Sequence, residues 1–459
     1  MSPSLLALLL VALAGTGFVL GRWRAMTTVG GAPRLLHSRP RYHGLYVAIW
    51  TGVPAFLVLV AWQIFEPGIA RSIVLDELGP GIAGLSGQAI ELLMNDILNA
   101  AAGVGFADPG PEVARAAQRY NDIRATGATA LTGLALAVGF GGLALGLRFV
   151  SPVLRARNAV ERFVMVLLIA SSTLAIFTTA GIVLSLLFEA IRFFRIVPVH
   201  EFLFGLEWSP QTAIRADQVG SSGAFGAVPV FAGTLLITVI AMTVAIPVGL
   251  LSAIWLAEYA TPRTRNIVKP LMEILAGIPT VVYGFFAALT VAPLIRALGQ
   301  SIGLDAASES ALAAGLVMGV MIIPFVSSLS DDVINAVPGT LREGSWSLGA
   351  TQAETIRQVV LPAALPGIVG AILLAVSRAI GETMIVVMAA GLAANLTGNP
   401  FAAVTTITVQ IVTLLVGDQE FDSVKTLSAF ALGLLLFIVT LGLNVIALYV
   451  VRRYRERYD

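Results

Sequence analysis

Nine stretches of this chain are apolar over lengths that can cross a lipid bilayer. A hydrocarbon core of about 30 Å requires about 20 consecutive apolar residues in a helix. Hydrophobic residues make up 57% of the chain and charged residues 12%, whereas an average soluble domain has about 25% charged residues. The sequence therefore predicts an all-α integral membrane protein with about nine transmembrane helices, near 4–21, 44–65, 126–148, 163–188, 230–257, 271–298, 309–329, 364–392 and 428–451.

Several functional classes are excluded or disfavoured by what the chain lacks. It has no cysteine and only three histidines, which excludes disulfides and thiolate metal sites and argues against a histidine metal cluster. Its net charge of +1 gives no general attraction to nucleic acid. Its two lysines, Lys269 and Lys425, do not follow glycine, so no GxxxxGK[ST] phosphate loop is present. We therefore expect neither an enzyme nor a bound cofactor.

The arginines predict the orientation of the chain in the membrane. Basic residues cluster in segments 22–43, 148–162 and 258–270 and in the C-terminal tail, and basic loops stay on the cytoplasmic side. Nine spans then place the C-terminus and segment 331–363 inside and the N-terminus outside. The first span has Ala12-Leu13-Ala14, which resembles a signal-peptide cleavage site. Because no basic residue precedes this span, the pattern favours an uncleaved anchor.

A charged segment separates the seventh and eighth apolar runs. Its charges are expected on short helical pieces that are split at Gly349 and closed at Pro362, because glycine and proline commonly end helices. Trp346 and Leu348 place apolar surface in water unless a partner covers them. The segment therefore predicts a docking surface, and the alternative is an ordinary cytoplasmic connection with a solvated charged face.

The eighth apolar run contains an arginine and a glutamate, Arg378 and Glu382. A charge at the centre of a spanning helix costs about 2.5–3.5 kcal/mol, so such residues usually face protein or a water-filled path. Four positions apart, the two are expected on one helix face, in the order that favours a local ion pair less. Gly381 between them allows close approach of another group. They are predicted either to line a transport path or to pair with charges of a neighbouring subunit.

Two motifs give this chain a family resemblance. Glu343-Gly344-Ser345, Gly349 and Leu361-Pro362 resemble the EAA loop of ABC importer permeases, with small residues in place of the usual alanines. Residues 377–384, SRAIGETM, resemble the RAxGET signature of phosphate-specific importer permeases of the Pst type, and Met384 together with the stretch 204–208 favours the PstC subunit over the PstA subunit. Further matching stretches are Phe204-Gly205-Leu206-Glu207-Trp208, Phe225-Gly226-Ala227-Val228-Pro229, Gly233-Thr234-Leu235, 275–284 (LAGIPTVVYG) and Val337-Pro338. The resemblance covers about residues 160–459.

The resemblance implies a type I ABC importer permease core, formed by the last six spans, and roles for two sets of residues. In this family the loop helix docks in a groove of a cytoplasmic ATPase, which assigns that contact to Arg342, Glu343, Trp346, Leu348 and Gly349. The signature residues Arg378, Glu382 and Thr383 are implied to lie on the substrate pathway. There an arginine offers a planar, permanently charged fork to phosphate, and a glutamate keeps the anion from binding too tightly to leave.

The resemblance also implies a multi-subunit assembly in a bacterial inner membrane. The expected partners are a homologous second permease of the PstA type, two ATPases of the PstB type that hold ATP and Mg²⁺, a periplasmic phosphate-binding protein of the PstS type, inorganic phosphate and the lipid bilayer. Residues 161–459 are expected to form the permease core, and residues 1–160 a three-helix membrane extension with an extracytoplasmic loop. This loop carries proline and glycine breaks at Gly79-Pro80-Gly81 and Asp108-Pro109-Gly110.

Other functions are compatible with parts of the sequence. Sulfate and molybdate permeases share the loop, so phosphate depends on the RAIGET signature. A membrane scaffold or sensor could use the extension, which is equally suited to bracing the receptor, shielding the core or recruiting regulators. An ion-coupled secondary transporter usually has broken helices in two halves and further intramembrane carboxylates, and the sequence shows neither.

Overall fold

The computed structural model describes residues 1–82, 86–104, 110–210, 223–304, 307–416 and 423–454. Nine helices within these residues are long and apolar enough to cross a membrane, which confirms the predicted number of spans. The chain divides into two compact units, Met1–Ile176 and Phe177–Asp459, and the boundary lies inside α5 (Ala156–Phe194). The family resemblance predicts a domain boundary at 160/161, which also lies within α5. Part of the basic tail, from residue 455 onward, lies outside the described residues.

The first unit is built on three long helices and one shorter helix. Ser2 caps the first helix by accepting a hydrogen bond from the Leu5 N–H, and Pro3 begins it, as is favoured at a helix N-terminus. The connection between the first two helices and the one that follows Phe149 lie at the same end of the unit, because the His37 N–H donates to the Pro152 carbonyl at 2.9 Å. The helices are α1 (Pro3–Thr27), α2 (Pro40–Ile82), α3 (Gly87–Ala102) and α4 (Pro111–Phe149).

The connection between the second and third spans, residues 66–124, contains helical structure that the sequence did not predict. The 43 residues of α2 extend to about 64 Å at 1.5 Å per residue, roughly twice the apolar thickness of a bilayer. An apolar cluster that includes Val74, Met94, Ile97 and Tyr120 lies between the C-terminal part of α2, helix α3 and the beginning of α4. The break expected at Gly79-Pro80-Gly81 coincides with the end of α2 at Ile82. The break expected at Asp108-Pro109 lies outside the described residues.

Glycines let α1, α2 and α4 approach one another closely. A Cβ atom added to Gly142 would lie 2.0 Å from the Trp50 carbonyl oxygen on α2, whereas one added to the neighbouring Gly141 would meet nothing within 4 Å. Close packing of small residues is a main source of helix association in lipid. The position of Gly142 therefore fixes the distance between α2 and α4.

We expect Gly142→Ala to destabilise the first unit and Gly141→Ala to leave it unchanged. The added methyl must push α4 away from the α2 backbone, and overpacking of this kind costs about 1–3 kcal/mol. Thermal unfolding of the purified chain in detergent, with the two variants compared side by side, measures the difference. Equal midpoints for both variants would contradict the close contact of α2 with α4.

In the second unit, α7 (Val228–Ile254) and α11 (Ala311–Asn335) pack against each other along their lengths. A hairpin of β1 (Trp208–Ser209) and antiparallel β2 (Ala224–Phe225) precedes them. The helices of this unit after α5 are α6 (Val199–Phe204), α7 (Val228–Ile254), α8 (Pro262–Ala276), α9 (Thr280–Phe286), α10 (Ala292–Ser301), α11 (Ala311–Asn335), α12 (Gly339–Ser347), α13 (Gln352–Thr355), α14 (Leu361–Ile380), α15 (Met384–Ala389), α16 (Ile407–Leu415) and α17 (Val424–Tyr454).

Three wider π-helical turns join or extend these helices. They are Trp255–Tyr259 after α7, Ala287–Val291 between α9 and α10, and Ile356–Val360 between α13 and α14. The last of these corrects the prediction that Pro362 closes a helix. Pro362 lacks the N–H that an α-helix needs, and the wider turn just before it lets the helix continue into α14.

Two of the predicted spans are broken. The run 271–298 divides at Gly277–Pro279 between α8 and α9, and the run 364–392 divides at Gly381–Thr383 between α14 and α15. The segments 258–270 and 331–363 lie at the same end of the unit, because Arg265 and Lys269 contact Asp331. This common end is the arrangement that the distribution of basic residues predicts.

Candidate functional site

The break after α14 separates the two charged residues of the RAIGET signature. Arg378 lies in the last turn of α14, which ends at Ile380, and Glu382 follows the capping residue Gly381. The expectation that both charges share one helix face is therefore wrong. Gly381 caps the end of α14, and the next helix begins only at Met384.

The Glu382 side chain caps the short helix that follows the break. Its Oε1 accepts hydrogen bonds from the backbone N–H groups of Met384 at 3.0 Å and Ile385 at 3.3 Å. A carboxylate at a helix N-terminus is favourable because the first N–H groups of a helix have no partner within the helix. Glu382 thus fixes the beginning of α15.

Arg378 has no ion-pair partner among the residues that the structure describes. Its side chain is exposed, and its guanidinium carbon lies 5.6 Å from the centre of the Phe325 ring on α11. A guanidinium at this distance from an aromatic ring is held by a cation–π contact, which leaves its N–H groups available. The arrangement can present a bidentate donor to an oxyanion.

Hydroxyl groups hold the backbone around the break. Thr383, half-buried, donates to the Gly381 carbonyl at 3.4 Å. Thr408, near the start of α16, donates to the Glu382 carbonyl at 2.9 Å, and Thr234 on α7 accepts from the Ile407 N–H at 3.1 Å. The sequence analysis missed Thr408, although three threonines at 405, 406 and 408 in an apolar run were a signal for it.

A second polar contact missed by the sequence analysis fixes the segment between α15 and α16. The Gln410 Oε1 accepts from the Trp208 indole at 2.9 Å, and the Gln410 Nε2 donates to the Leu392 carbonyl at 3.0 Å. Both side chains are buried. Trp208 was recognised only as part of a motif, and the contact explains why an indole donor stands there.

The EAA-like segment folds as two helical pieces around Gly349, as predicted. Gly349 has φ +84°, which glycine adopts without the steric cost of a side chain. Thr351 and Glu354 then form a reciprocal capping box that starts α13. On α12 and the turn after it, Glu343 is exposed, Trp346 is 48% exposed and Leu348 is 91% exposed. These three side chains form the outer face of α12.

Arg342 points the other way, into the protein. Its guanidinium donates to the Glu258 Oε1 at 3.1 and 2.9 Å and to the carbonyls of Val337 at 2.7 Å and Ile334 at 2.8 Å. The Gln352 amide also donates to the Glu258 carbonyl, at 2.6 Å. Arg342 therefore lies apart from the outer face with which the sequence analysis grouped it, and it anchors α12 to the ends of α7 and α11.

We expect Arg342→Ala to destabilise the chain strongly. The Arg342 and Glu258 side chains are only 16% and 8% exposed, and removing one partner of a buried pair typically costs about 3–5 kcal/mol. Arg357→Ala, which removes an exposed arginine of the same segment, is the matched control. Unfolding midpoints in detergent should fall for the first variant only. A midpoint of Arg342→Ala equal to that of the control would contradict the anchoring contact.

Comparison with known proteins gives consistent matches over both units. Residues 7–178 match a family model described as phosphate ATP-binding cassette transporter, and residues 245–456 match one described as binding-protein-dependent transport system inner membrane component. The probable ABC transporter permease protein YqgH of Bacillus subtilis is 32% identical over 62% of this chain and 86% of its own length. The phosphate transport system permease protein PstC 1 of Mycobacterium tuberculosis is 34% identical over 58% and 85%.

The chain is also similar to a third relative and to a chain of a solved structure. The phosphate transport system permease protein PstC of Mesorhizobium japonicum is 32% identical over 56% of this chain and 79% of its own length. A chain from an inward-facing MetNI methionine ABC transporter aligns with 20% identity and a TM-score of 0.37, covering 50% of this chain and 95% of that one. That score is too low to support a comparison of geometry.

Proposed function

The chain belongs to the family of PstC-type phosphate permeases of ABC importers. We propose how its residues bind phosphate and move it across the membrane. The chain is the permease subunit of a phosphate ABC importer and a multi-pass membrane protein. In our proposal it supplies half of the translocation pathway, and its outer face of α12 docks a cytoplasmic ATPase.

The observation that carries this proposal is the position of Arg378. An exposed arginine without an ion-pair partner among the described residues stands at a break in a spanning helix, beside a carboxylate that is committed to capping α15. A charge within a membrane-spanning segment costs free energy, so such a residue usually has a role in binding or transport. A phosphate that enters the pathway neutralises the guanidinium and accepts two parallel hydrogen bonds from it.

Glu382 makes release possible. Because its Oε1 is fixed on the N–H groups of α15, its negative charge stays close to the pathway. A transport site must bind weakly enough to let its ion go, and a fixed carboxylate lowers the affinity for an anion. Thr383 contributes a hydroxyl at the same break. We assign Arg378, Glu382 and Thr383 to the substrate pathway on this basis.

The proposed cycle is alternating access driven by a separate ATPase. A binding protein of the PstS type delivers phosphate to the outer mouth, which this chain forms together with a second permease of the PstA type. Two ATPase subunits of the PstB type, which hold ATP and Mg²⁺, move the α12 segments when they close. The helices that carry Arg378 reorient, and phosphate leaves inward. The C-terminus then lies in the cytoplasm of a bacterial cell and the N-terminus outside its inner membrane.

Competition between anions tests the assignment of the substrate. Matched cells with and without this chain are given radioactive phosphate with unlabelled phosphate, sulfate or molybdate in excess. We expect only unlabelled phosphate to compete. Equal competition by sulfate or molybdate would assign the chain to a broader oxyanion importer, and uptake that is independent of the chain would overturn the proposal.

A further inference from the structure

Helix α8 has no buried side chain of its own, yet it lies between two parts of the proposed machinery. Its apolar residues Ile267, Leu271 and Ile274 are exposed, whereas Val268 and Met272 are half-buried. It begins after the turn at Ala260 and ends at the Gly277–Pro279 break. Because apolar burial of α8 is slight, its polar contacts make a large contribution to holding it on the second unit.

Asp331, near the end of α11, provides those contacts. Its side chain is 1% exposed, and its carboxylate accepts from the Arg265 guanidinium at 2.9 and 2.7 Å and from the Lys269 ammonium at 3.0 Å, both on α8. Asn335 donates to the same carboxylate at 2.8 Å. The hydrogen bond from Lys269 raises the pKa of that lysine. The neighbouring Asp332 carboxylate is largely exposed and, among the described residues, pairs only with Lys269, at 3.0 Å.

The same end of α11 also holds the α12 segment. Ile334, three residues after Asp331, accepts from Arg342, which joins α12 to Glu258 at the end of α7. Two buried or half-buried charge networks thus lie within one helical turn of α11. One holds α12 and the other holds α8, so both helices are attached to the same end of α11.

From α8 the connection continues to the signature break. The Tyr283 hydroxyl on α9 donates to the Leu275 carbonyl on α8 at 2.9 Å, across the Gly277–Pro279 break. One residue later, a Cβ atom at Gly284 would come within 3.1 Å of the Met384 carbonyl on α15. Helix α15 is the one that Glu382 caps. These contacts link α8 through α9 to α15 and to Glu382, which caps it.

We propose that Asp331 is a positioning residue of the transport cycle, which makes α8 move together with α12 through its ion pairs with Arg265 and Lys269. This inference rests on the proposed function of α12 as the segment that the ATPase moves. Asp331 does not touch phosphate. It determines whether a movement of α12 reaches α9, α15 and Glu382.

The first test measures coupling rather than activity alone. In vesicles that contain the assembled importer, phosphate taken up per ATP hydrolysed is compared for wild type, Asp331→Asn and Asp332→Asn. Asparagine keeps the shape but removes the charge that Arg265 and Lys269 share. We expect the ratio to fall about tenfold for Asp331→Asn, within the usual range of coupling energies, with ATP hydrolysis continuing. Asp332→Asn should stay close to wild type.

The second test restores the connection by a covalent bridge. Helices α8 and α11 line a cavity of about 210 Å³, with Glu273 on one wall and Ser328 on the other, and the chain has no native cysteine. A reducible bifunctional methanethiosulfonate reagent is used to bridge Glu273→Cys and Ser328→Cys. We expect it to restore the ratio in Asp331→Asn, and a reducing agent to abolish the recovery. Each single cysteine variant, treated with the same reagent, is the control.

Several results would overturn the inference. These are an unchanged ratio in Asp331→Asn, no recovery when its bridge forms, or loss of transport when the bridge forms in an otherwise wild-type chain. If Asp331→Asn does not assemble, Lys269→Gln, which leaves Asp331 paired with Arg265, is tested by the same criteria and should show a smaller fall. Absence of phosphate uptake by the wild-type complex would instead refute the proposed function, so the two failures are distinguishable.

Discussion

Phosphate uptake falls about 10- to 100-fold in the Arg378→Ala variant if Arg378 contacts the anion, because hydrogen bonds to charged groups contribute about 1.5–3 kcal/mol. The loss leaves assembly intact, since the side chain is exposed and has no ion-pair partner among the residues that the structure describes. Initial rates of radioactive phosphate uptake, together with copurification of the ATPase, measure both effects in one preparation.

Two further variants show whether the guanidinium or only its charge is needed. Arg378→Lys keeps the positive charge but removes the planar fork, so an intermediate rate is expected. Ser377→Ala, one residue away, changes a side chain with no assigned role and should transport as wild type does. Normal transport by Arg378→Lys would argue against bidentate recognition. Normal transport by Arg378→Ala would assign Arg378 to contacts with a neighbouring subunit.

Association with the ATPase is expected to weaken at least about 30-fold in the Trp346→Ala variant, since a buried aromatic anchor at an interface contributes 2 kcal/mol or more. Trp346 is 48% exposed and Leu348 91% exposed on a segment that lies outside the spanning part of the chain. Leu348→Glu places a charge on the same surface and should weaken association further.

Binding of the purified ATPase subunit to the permease in detergent provides the measurement. Leu374→Ala, which removes an exposed leucine from the middle of α14, is the matched control and should bind the ATPase normally. Unchanged affinity in both Trp346→Ala and Leu348→Glu would show that the outer face of α12 is a solvated surface and that the ATPase docks elsewhere.

The number of spans could be predicted from the sequence because the length of an apolar run is a direct consequence of bilayer thickness. The break at Gly381 could not, because apolar residues lie on both sides of it. It depends on contacts from distant parts of the chain: the Thr408 hydroxyl reaches the Glu382 carbonyl from the beginning of α16. The four-residue spacing of Arg378 and Glu382 predicted one shared helix face, but α14 ends at Ile380, before Glu382.

The direction of Arg342 shows the same limit. Its position in the EAA-like segment suggested a surface role, but its partner Glu258 lies 84 residues earlier in the chain. A motif identifies which residues belong to a segment and not which of them face inward. Trp346 and Leu348 were predicted correctly as exposed, since few apolar neighbours in the segment could cover them.

The helices between the second and third spans were not predicted, because charged residues and glycine–proline pairs interrupt the apolar pattern there. These helices depend on an apolar cluster shared between distant segments, with Val74 on α2, Met94 on α3 and Tyr120 on α4. Ion pairs such as Arg119 with Glu77 then use many of the charges between helices rather than in solvent. When only the number of charged residues is considered, and not their pairing, the segment resembles a polar loop.

Phosphate uptake can be measured directly in vesicles that contain this chain, its partner permease, the ATPase and the binding protein, with ATP on the ATPase side. We predict accumulation of phosphate that requires ATP hydrolysis and that is lost when the Arg378→Ala chain replaces wild type in an intact complex. Accumulation that continues without ATP, or a wild-type complex that hydrolyses ATP and moves no phosphate, would contradict the account.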